Sequence, residues 1–276
     1  MKPFEHAVIR IIQGALSLFG VRKRDRVLAT ISHELAPVLR VPLNEGEICI
    51  RCTSKKSLYW AKCFFAHEPD TIEWLDSLGQ DSVFWDVGAN IGIYSLYAAS
   101  KGANVYAFEP MSENFACLQQ NSFINVLPGS IKAFCVALSD HSGLCRLHLS
   151  EFSSGSDTHQ FQSGVQTDND DYTQTVPAIS MDEFIQIFNS DPPTHLKIDV
   201  DGPEIDILHG AQQTLTDRRL RSVLIEGDAG NSERNEKIDD LLVKAGFRKT
   251  GQGSTAGGSI HCNYIYSRSE TSPRAK

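Results

Sequence analysis

Phe84-Trp-Asp-Val-Gly-Ala-Asn-Ile-Gly92 decides the fold. An apolar run from Ser82 to Trp85 delivers the chain into a glycine turn, and twenty-three residues past Asp86 a second run ends in Glu109. This order suits a nucleoside cofactor. The backbone at Gly88 and Gly92 can approach a ligand closely, and an acid after the next strand meets ribose hydroxyls. The spacing is not that of a dinucleotide site. Counted from Gly88, the remaining slots of G-x-G-x-x-G hold Asn90 and Ile93, and Asp86 sets a carboxylate where a pyrophosphate would lie. Asp86 therefore favours a cationic ligand. S-adenosylmethionine carries an ammonium and a sulfonium and no phosphate, so it is the expected cofactor; an NAD-dependent oxidoreductase is the disfavoured alternative.

With 276 residues, 41% of them hydrophobic, the chain can bury one sizeable core, and one α/β domain with an N-terminal extension suffices. The 34 acidic against 26 basic residues disfavour a surface that tracks phosphates, and with it nucleic-acid substrates. Seven scattered cysteines fit reduced thiols in a cytoplasmic protein. Cys49-Ile-Arg-Cys52 lies in an expected strand, where residues three apart face opposite ways, and no second pair completes a zinc site. Residues 7–19 are apolar but are interrupted by Arg10 and Gln13. They fall short of the ~20 residues of a transmembrane segment and show no signal-peptide cleavage site. Followed by Val21-Arg-Lys-Arg-Asp-Arg26, they read as an amphipathic helix, docked on its own domain or on a homodimer mate in preference to a membrane.

From Ser82 onward apolar runs alternate with helical patterns, the rhythm of a parallel sheet covered on both faces. Parallel strands are expected at 83–87, 104–108, 131–138, 195–200 and 222–226, with 247–250 and 264–266 closing the sheet. Helices are expected at 91–100, at 111–123 with Phe115, Leu118 and Ser122 on one stripe, and at 238–245. Ser180 and Glu183 have capping-box spacing and open a helix whose apolar face is Met181, Phe184, Ile187 and Phe188. Pro203 starts another. Residues 144–149 alternate like a hairpin strand, and the polar stretch 151–175 reads as a long functional loop. Residues 251–259 read as a flexible glycine loop between the last two strands. The resulting division is an extension over 1–65, a cofactor-binding domain over 66–267 and a tail over 268–276.

The stretches Phe84–Gly92, Ala107-Phe-Glu-Pro110, Ala137-Leu-Ser-Asp140 and Leu196-Lys-Ile-Asp-Val-Asp-Gly-Pro-Glu204 stand in the order and spacing of FkbM-type methyltransferases. The chain resembles that family over roughly residues 66–250. The resemblance implies a Rossmann-like class I S-adenosylmethionine fold: a seven-stranded, mostly parallel sheet with helices on both faces and its last strand antiparallel. It also implies O-methylation of a hydroxyl on a sugar, glycan or natural product. The family more often has Glu where this chain has Asp201, one methylene shorter.

Ligands of an open α/β sheet bind beyond the carboxyl ends of the strands. Asp86 and the turn of Gly88, Ala89, Asn90 and Gly92 would then hold the methionine part of the cofactor, Glu109 the ribose, and Ala137 and Leu138 the adenine. Lys197, Asp199 and Asp201, at spacing two, share one side and face the transfer position. Asp199 is the expected acceptor of the hydroxyl proton, with Lys197 pairing its charge or orienting the substrate oxygen, and Glu226 is the second candidate base. Asp199 and Glu226 could alternatively hold a divalent metal such as magnesium, but two carboxylates do not define a coordination shell. The plain alternative for Lys197 and Asp199 is a structural ion pair. His195 and His209 are expected to be structural, His261 to touch the substrate, and Glu68 to reach the cofactor or serve its helix end. A small-molecule or glycan substrate is the expected partner; the rival is a scaffold protein that keeps the fold without the chemistry.

Overall fold

The computed structural model describes residues 3–149, 152–156, 159–162, 173–253 and 261–268, with side chains at all of these except 3, 159–162 and 261. The chain divides into two compact units, 1–38 and 39–276. The first holds two helices, α1 (Pro3–Leu16) and α2 (Val21–Glu34). Leu16 is buried, and Phe4, Ile11 and Leu18 are exposed.

The second unit opens in a ribbon of β1 (Val38–Pro42) and β2 (Glu47–Arg51), followed by α3 (Lys55–His67) and α4 (Pro69–Leu75). Val41, Ile48, Ile50, Ala61 and Phe64 share one apolar cluster with Leu75, Phe84 and Leu96. Residues 41–64 thus share a core with the strands and helices that follow. The chain continues through β3 (Val83–Val87), α5 (Ile93–Ser100), β4 (Asn104–Phe108), α6 (Ser112–Ile124) and β5 (Ser130–Phe134). Next come β6 (Ala137–Ser139), β7 (Gly143–Leu149), β8 (His159–Gln162), β9 (Thr173–Ser180) and α7 (Met181–Phe188). It ends with β10 (His195–Ile198), α8 (Glu204–His209), α9 (Gln212–Thr216), β11 (Ser222–Asp228), α10 (Ser232–Lys244), β12 (Phe247–Gln252) and β13 (His261–Arg268).

Among the described residues, seven strands form the main sheet in the order β12-β13-β11-β10-β3-β4-β5. The strands from β11 to β5 pair in parallel, and β13 runs antiparallel to both of its neighbours. Side chains alternate across the sheet. Phe84, Val105, Ala107 and Leu224 pack with residues of α3, α4 and α5, whereas Trp85, Val87, Phe108, Leu196, Val223 and Ile225 pack with residues of α7, α8 and α10. Burial on both faces is why these strands read as unbroken apolar runs. No helix among the described residues is long and apolar enough to cross a membrane.

Several expectations change. The third strand stops at Phe134, and Ala137 and Leu138 belong to β6, which pairs with β9 in a separate sheet of order β6-β9-β7-β8. Its strands β8 and β9 occupy part of the stretch read as one loop; residues 151, 157–158 and 163–172 lie outside the described ones. The buried stripe of α6 is Asn114, Cys117, Leu118 and Asn121 rather than Phe115, Leu118 and Ser122. Its amides serve β2: Arg51 donates its backbone N–H to Asn121 Oδ1 and Cys49 donates to Asn125 Oδ1, both at 2.8 Å. Polar residues thus occupy the inner face because a strand edge needs partners. In α7, Met181 and Phe184 are buried but Ile187 and Phe188 are exposed, since the helix ends at once in left-handed Asn189. All seven cysteines are free thiols.

Candidate active site

A cavity of about 400 Å³ opens at the carboxyl ends of β3, β4 and β10, with Glu226 of β11 on its wall. The turn after β3 forms its floor. Gly88 lies at φ +81°, and a Cβ there would sit 1.9 Å from the carbonyl oxygen of Asp199, so two neighbouring strand ends can meet only at glycine. Asn90 follows at φ +51°. Its backbone N–H donates to Glu109 Oε2 at 2.7 Å, and Met111 donates to Oε1 at 2.8 Å. Burial pushes the Glu109 carboxyl up to about 7, against the pull of these two amides. Asn90 Oδ1 is buried without a hydrogen-bond partner.

Asp86 stands opposite Lys197 in the register of β3 and β10. Both side chains point to the α5 side of the sheet. Asp86 is fully buried, accepts from Ser95 Oγ at 2.6 Å, and has Oδ1 3.9 Å from Lys197 Nζ. Burial raises its pKa, and Lys197 and Ser95 oppose that rise. Asp86 and Gly92 lie behind the wall: neither lines the cavity. The Asp86 carboxylate is taken up on the α5 side by Ser95 and Lys197. Gly92, at φ +85°, precedes α5 and has Leu118 against its Cα.

Lys197 is buried and donates to Asp199 Oδ2 at 2.6 Å, with its Nζ 4.9 Å from the centre of the Tyr94 ring. Burial alone would push its ammonium down, but Asp199, Asp86 and Glu68 more than offset this and hold it above its usual value. Glu68 accepts from Tyr94 Oη and Thr71 Oγ1, each at 2.9 Å. Glu226 is pushed up to about 9 by burial and by Asp199, Glu204 and Asp201 around it. A carboxyl raised in this way holds its proton to higher pH than an ordinary one.

Glu68, Glu109, Asp199, Asp201 and Glu226 all line the cavity, and Lys197 is its one Lys or Arg among the described residues. That ammonium is already engaged by two carboxylates. The surplus is negative, which suits a sulfonium and an ammonium and repels a pyrophosphate. Among the described residues no group of three or more His, Cys, Asp or Glu is placed to hold a metal.

The structure brings Gly88, Ala89, Asn90, Glu109, Ala137, Leu138, Lys197, Asp199 and Glu226 to this one cavity. His195 lies outside it, bonded to Thr194 Oγ1 at 2.9 Å, and His209 lies outside it too. The side chain of His261 is outside the described residues.

Sequence reasoning missed Trp60, Phe64 and His67 of α3, which line the cavity. Their spacing of four and three on a helix opened by the Ser54 capping box was the available signal. Residues 154–156, within the stretch expected to be a functional loop, form a clamped strap. Trp60 Nε1 donates to Gly155 O at 2.9 Å, Gly155 N donates to Asn114 Oδ1 at 2.7 Å, and Asn114 Nδ2 donates to Ser156 O at 3.0 Å.

A parallel sheet closed by an antiparallel last strand, with an acid-rich cavity over a glycine turn, defines a Rossmann-like class I methyltransferase fold. The chain belongs to the FkbM methyltransferase family: residues 86–249 match the Methyltransferase FkbM domain. It is 33% identical over 171 residues to hexuronic acid methyltransferase AglP of Haloferax volcanii, covering 62% of this chain and 65% of that protein. It is 31% identical over 114 residues to 31-O-demethyl-FK506 methyltransferase FkbM of Streptomyces tacrolimicus, covering 41% of this chain and 38% of that protein. The chain thus spans less than two thirds of the length of either curated relative. Methyltransferase FkbM from Methylobacillus flagellatus KT, a solved structure, aligns with 76% of this chain and 52% of its own at 17% identity and a TM-score of 0.49.

Proposed function

We propose that this protein methylates a hydroxyl of a sugar, glycan or natural-product acceptor, using S-adenosylmethionine. The observation that carries the reading is the cavity's composition: a glycine turn with an unpartnered buried amide oxygen at Asn90, and carboxylates in excess of cations. These residues fit the cofactor. Asn90 and the Gly88–Asn90 backbone would hold its methionine part, Glu109 its ribose and Ala137 with Leu138 its adenine. Asp86 acts from behind the wall, fixing Lys197 and adding negative charge. The cofactor supplies an electrophilic methyl group.

The protein's own task is to align the hydroxyl and take its proton. Asp199, at the mouth of β10 and paired with Lys197, is the acceptor of that proton. Glu226, carrying its own proton, donates a hydrogen bond to the acceptor. Two relatives, named for a hexuronic acid and for a demethyl-FK506 acceptor, support an oxygen acceptor of this class. The protein is expected to act without spanning a membrane, in the cytoplasm.

The test separates binding from chemistry. Calorimetry should show binding of S-adenosylmethionine and S-adenosylhomocysteine and none of NAD. With labelled cofactor and fractionated cell extract, label should enter a glycan or metabolite fraction. Asp199→Asn should keep cofactor binding and lose about 10²- to 10⁴-fold in rate. Full turnover in that variant removes Asp199 as the base; cofactor binding with no acceptor ever labelled favours a scaffold.

A further inference from the structure

We infer that the N-terminal unit is an anchor for an anionic lipid surface, with α1 lying in the interface and the start of α2 contacting the headgroups. On α1, Phe4, Val8, Ile11, Ile12 and Ala15 fall on one side of the helix and His6, Arg10 and Gln13 on the other. The apolar side is open: Phe4 is 77%, Ile11 71% and Leu18, just beyond the helix, 86% exposed. Soluble monomers seldom present contiguous apolar surface of this kind without an occupant.

The charge says which occupant. Residues 1–38 carry Lys2, Arg10, Arg22, Lys23, Arg24 and Arg26 against Glu5, Asp25 and Glu34, while the chain as a whole carries a net charge of −8. Basic residues are therefore concentrated in the unit that exposes the apolar face. Four of them fall in the first six residues of α2, which has no buried residue. Lys23 Nζ lies 4.8 Å from the centre of the Phe19 ring, so the basic cluster is continuous with the apolar end of α1. Asp25 is taken up by Arg24 at 3.1 Å. An amphipathic helix beside a polybasic segment binds the boundary of an anionic leaflet, its apolar face about 5 to 10 Å deep. A second copy of the chain would have to place this like-charged cluster against itself, which disfavours it as the occupant.

Full-length protein should sediment with vesicles of phosphatidylcholine and phosphatidylglycerol, far less with phosphatidylcholine alone, and should be released by salt. Ile11→Asp should abolish binding. Reversal of three charges (Arg22→Glu, Lys23→Glu, Arg26→Glu) should weaken it by about a hundredfold or more. Unchanged S-adenosylhomocysteine binding in both variants shows that the second unit is folded. Absence of the wild type from anionic vesicle pellets overturns the inference, as does full retention by Ile11→Asp. So does a dimer in light scattering that Ile11→Asp breaks while the wild type ignores vesicles, since that result assigns the face to a second copy.

Discussion

Glu109 couples the cofactor turn to solution pH. Its two oxygens receive the amides of Asn90 and Met111, and burial still leaves the carboxyl at about 7. Ribose hydroxyls donate to an ionised carboxylate, and a cationic ligand favours the same form. With Glu109 holding the ribose as proposed, cofactor binding below pH 7 expels a proton; above it the carboxylate is already formed. Affinity for S-adenosylmethionine should rise between pH 6 and 7 by up to about tenfold and then level, with proton release visible as a buffer-dependent binding enthalpy. Glu109→Gln should flatten the profile. Proton uptake on binding, or a slope that survives in Glu109→Gln, would place the titrating group elsewhere.

At the level of elements, the strap of residues 154–156 joins the N-terminus of α3 to the cofactor turn. Gly155, at φ +80°, packs so closely that a Cβ would lie 2.6 Å from the backbone nitrogen of Ser57. Gly155→Ala must strain the turn and push the strap off α3, loosening the wall formed by Trp60, Asn114 and Ser156. Such a backbone change costs about 1 to 3 kcal/mol. Urea unfolding with and without S-adenosylhomocysteine should show both lower stability and weaker ligand binding; loss of neither would make the strap dispensable.

Elements such as this one mark where the sequence was hard to read. Strands β3, β4, β10 and β11 were legible because burial on both faces makes continuous apolar runs, and the glycine turn and Glu109 fixed the site between them. The break after Phe134 was not. Cys135 and Val136 carry no Gly or Pro to announce that the chain leaves one sheet for another, so β6 read as the end of β5. The inner face of α6 was illegible for a different reason: Asn114 and Asn121 are buried to serve backbone groups distant in sequence, which no apolar period reveals. Lys197 and Asp199 were found, yet the placing of Asp86 opposite Lys197 follows from a cross-strand register that sequence does not state.

For the whole molecule, the acid-rich cavity sets how stability depends on pH. Glu226 is pushed up to about 9 and Glu109 to about 7, against 4.5 for an ordinary Glu. Between 4.5 and those values the folded chain holds protons that the unfolded chain has released. The corresponding stability is complete below pH 4.5 and is lost as pH rises through 7 and then 9. His195 works in the opposite direction. Burial, helped by Arg221, lowers it from 6.5 to about 4, so its contribution is present above 6.5 and is lost as pH falls toward 4. From 4.5 to 6.5 two carboxyls outweigh one imidazole, so these three groups alone place the maximum between about pH 4 and 4.5, with a long decline on the alkaline side. Glu226→Gln removes the part of that decline that runs from pH 7 to 9. It should match the wild type at pH 4 and exceed it at pH 9 by at least about 1.4 kcal/mol, the equivalent of one pKa unit, in urea unfolding of the cofactor-free protein. Equal stabilities at pH 9 would mean that Glu226 ionises there without penalty and that the surplus charge of the cavity is relieved by another group.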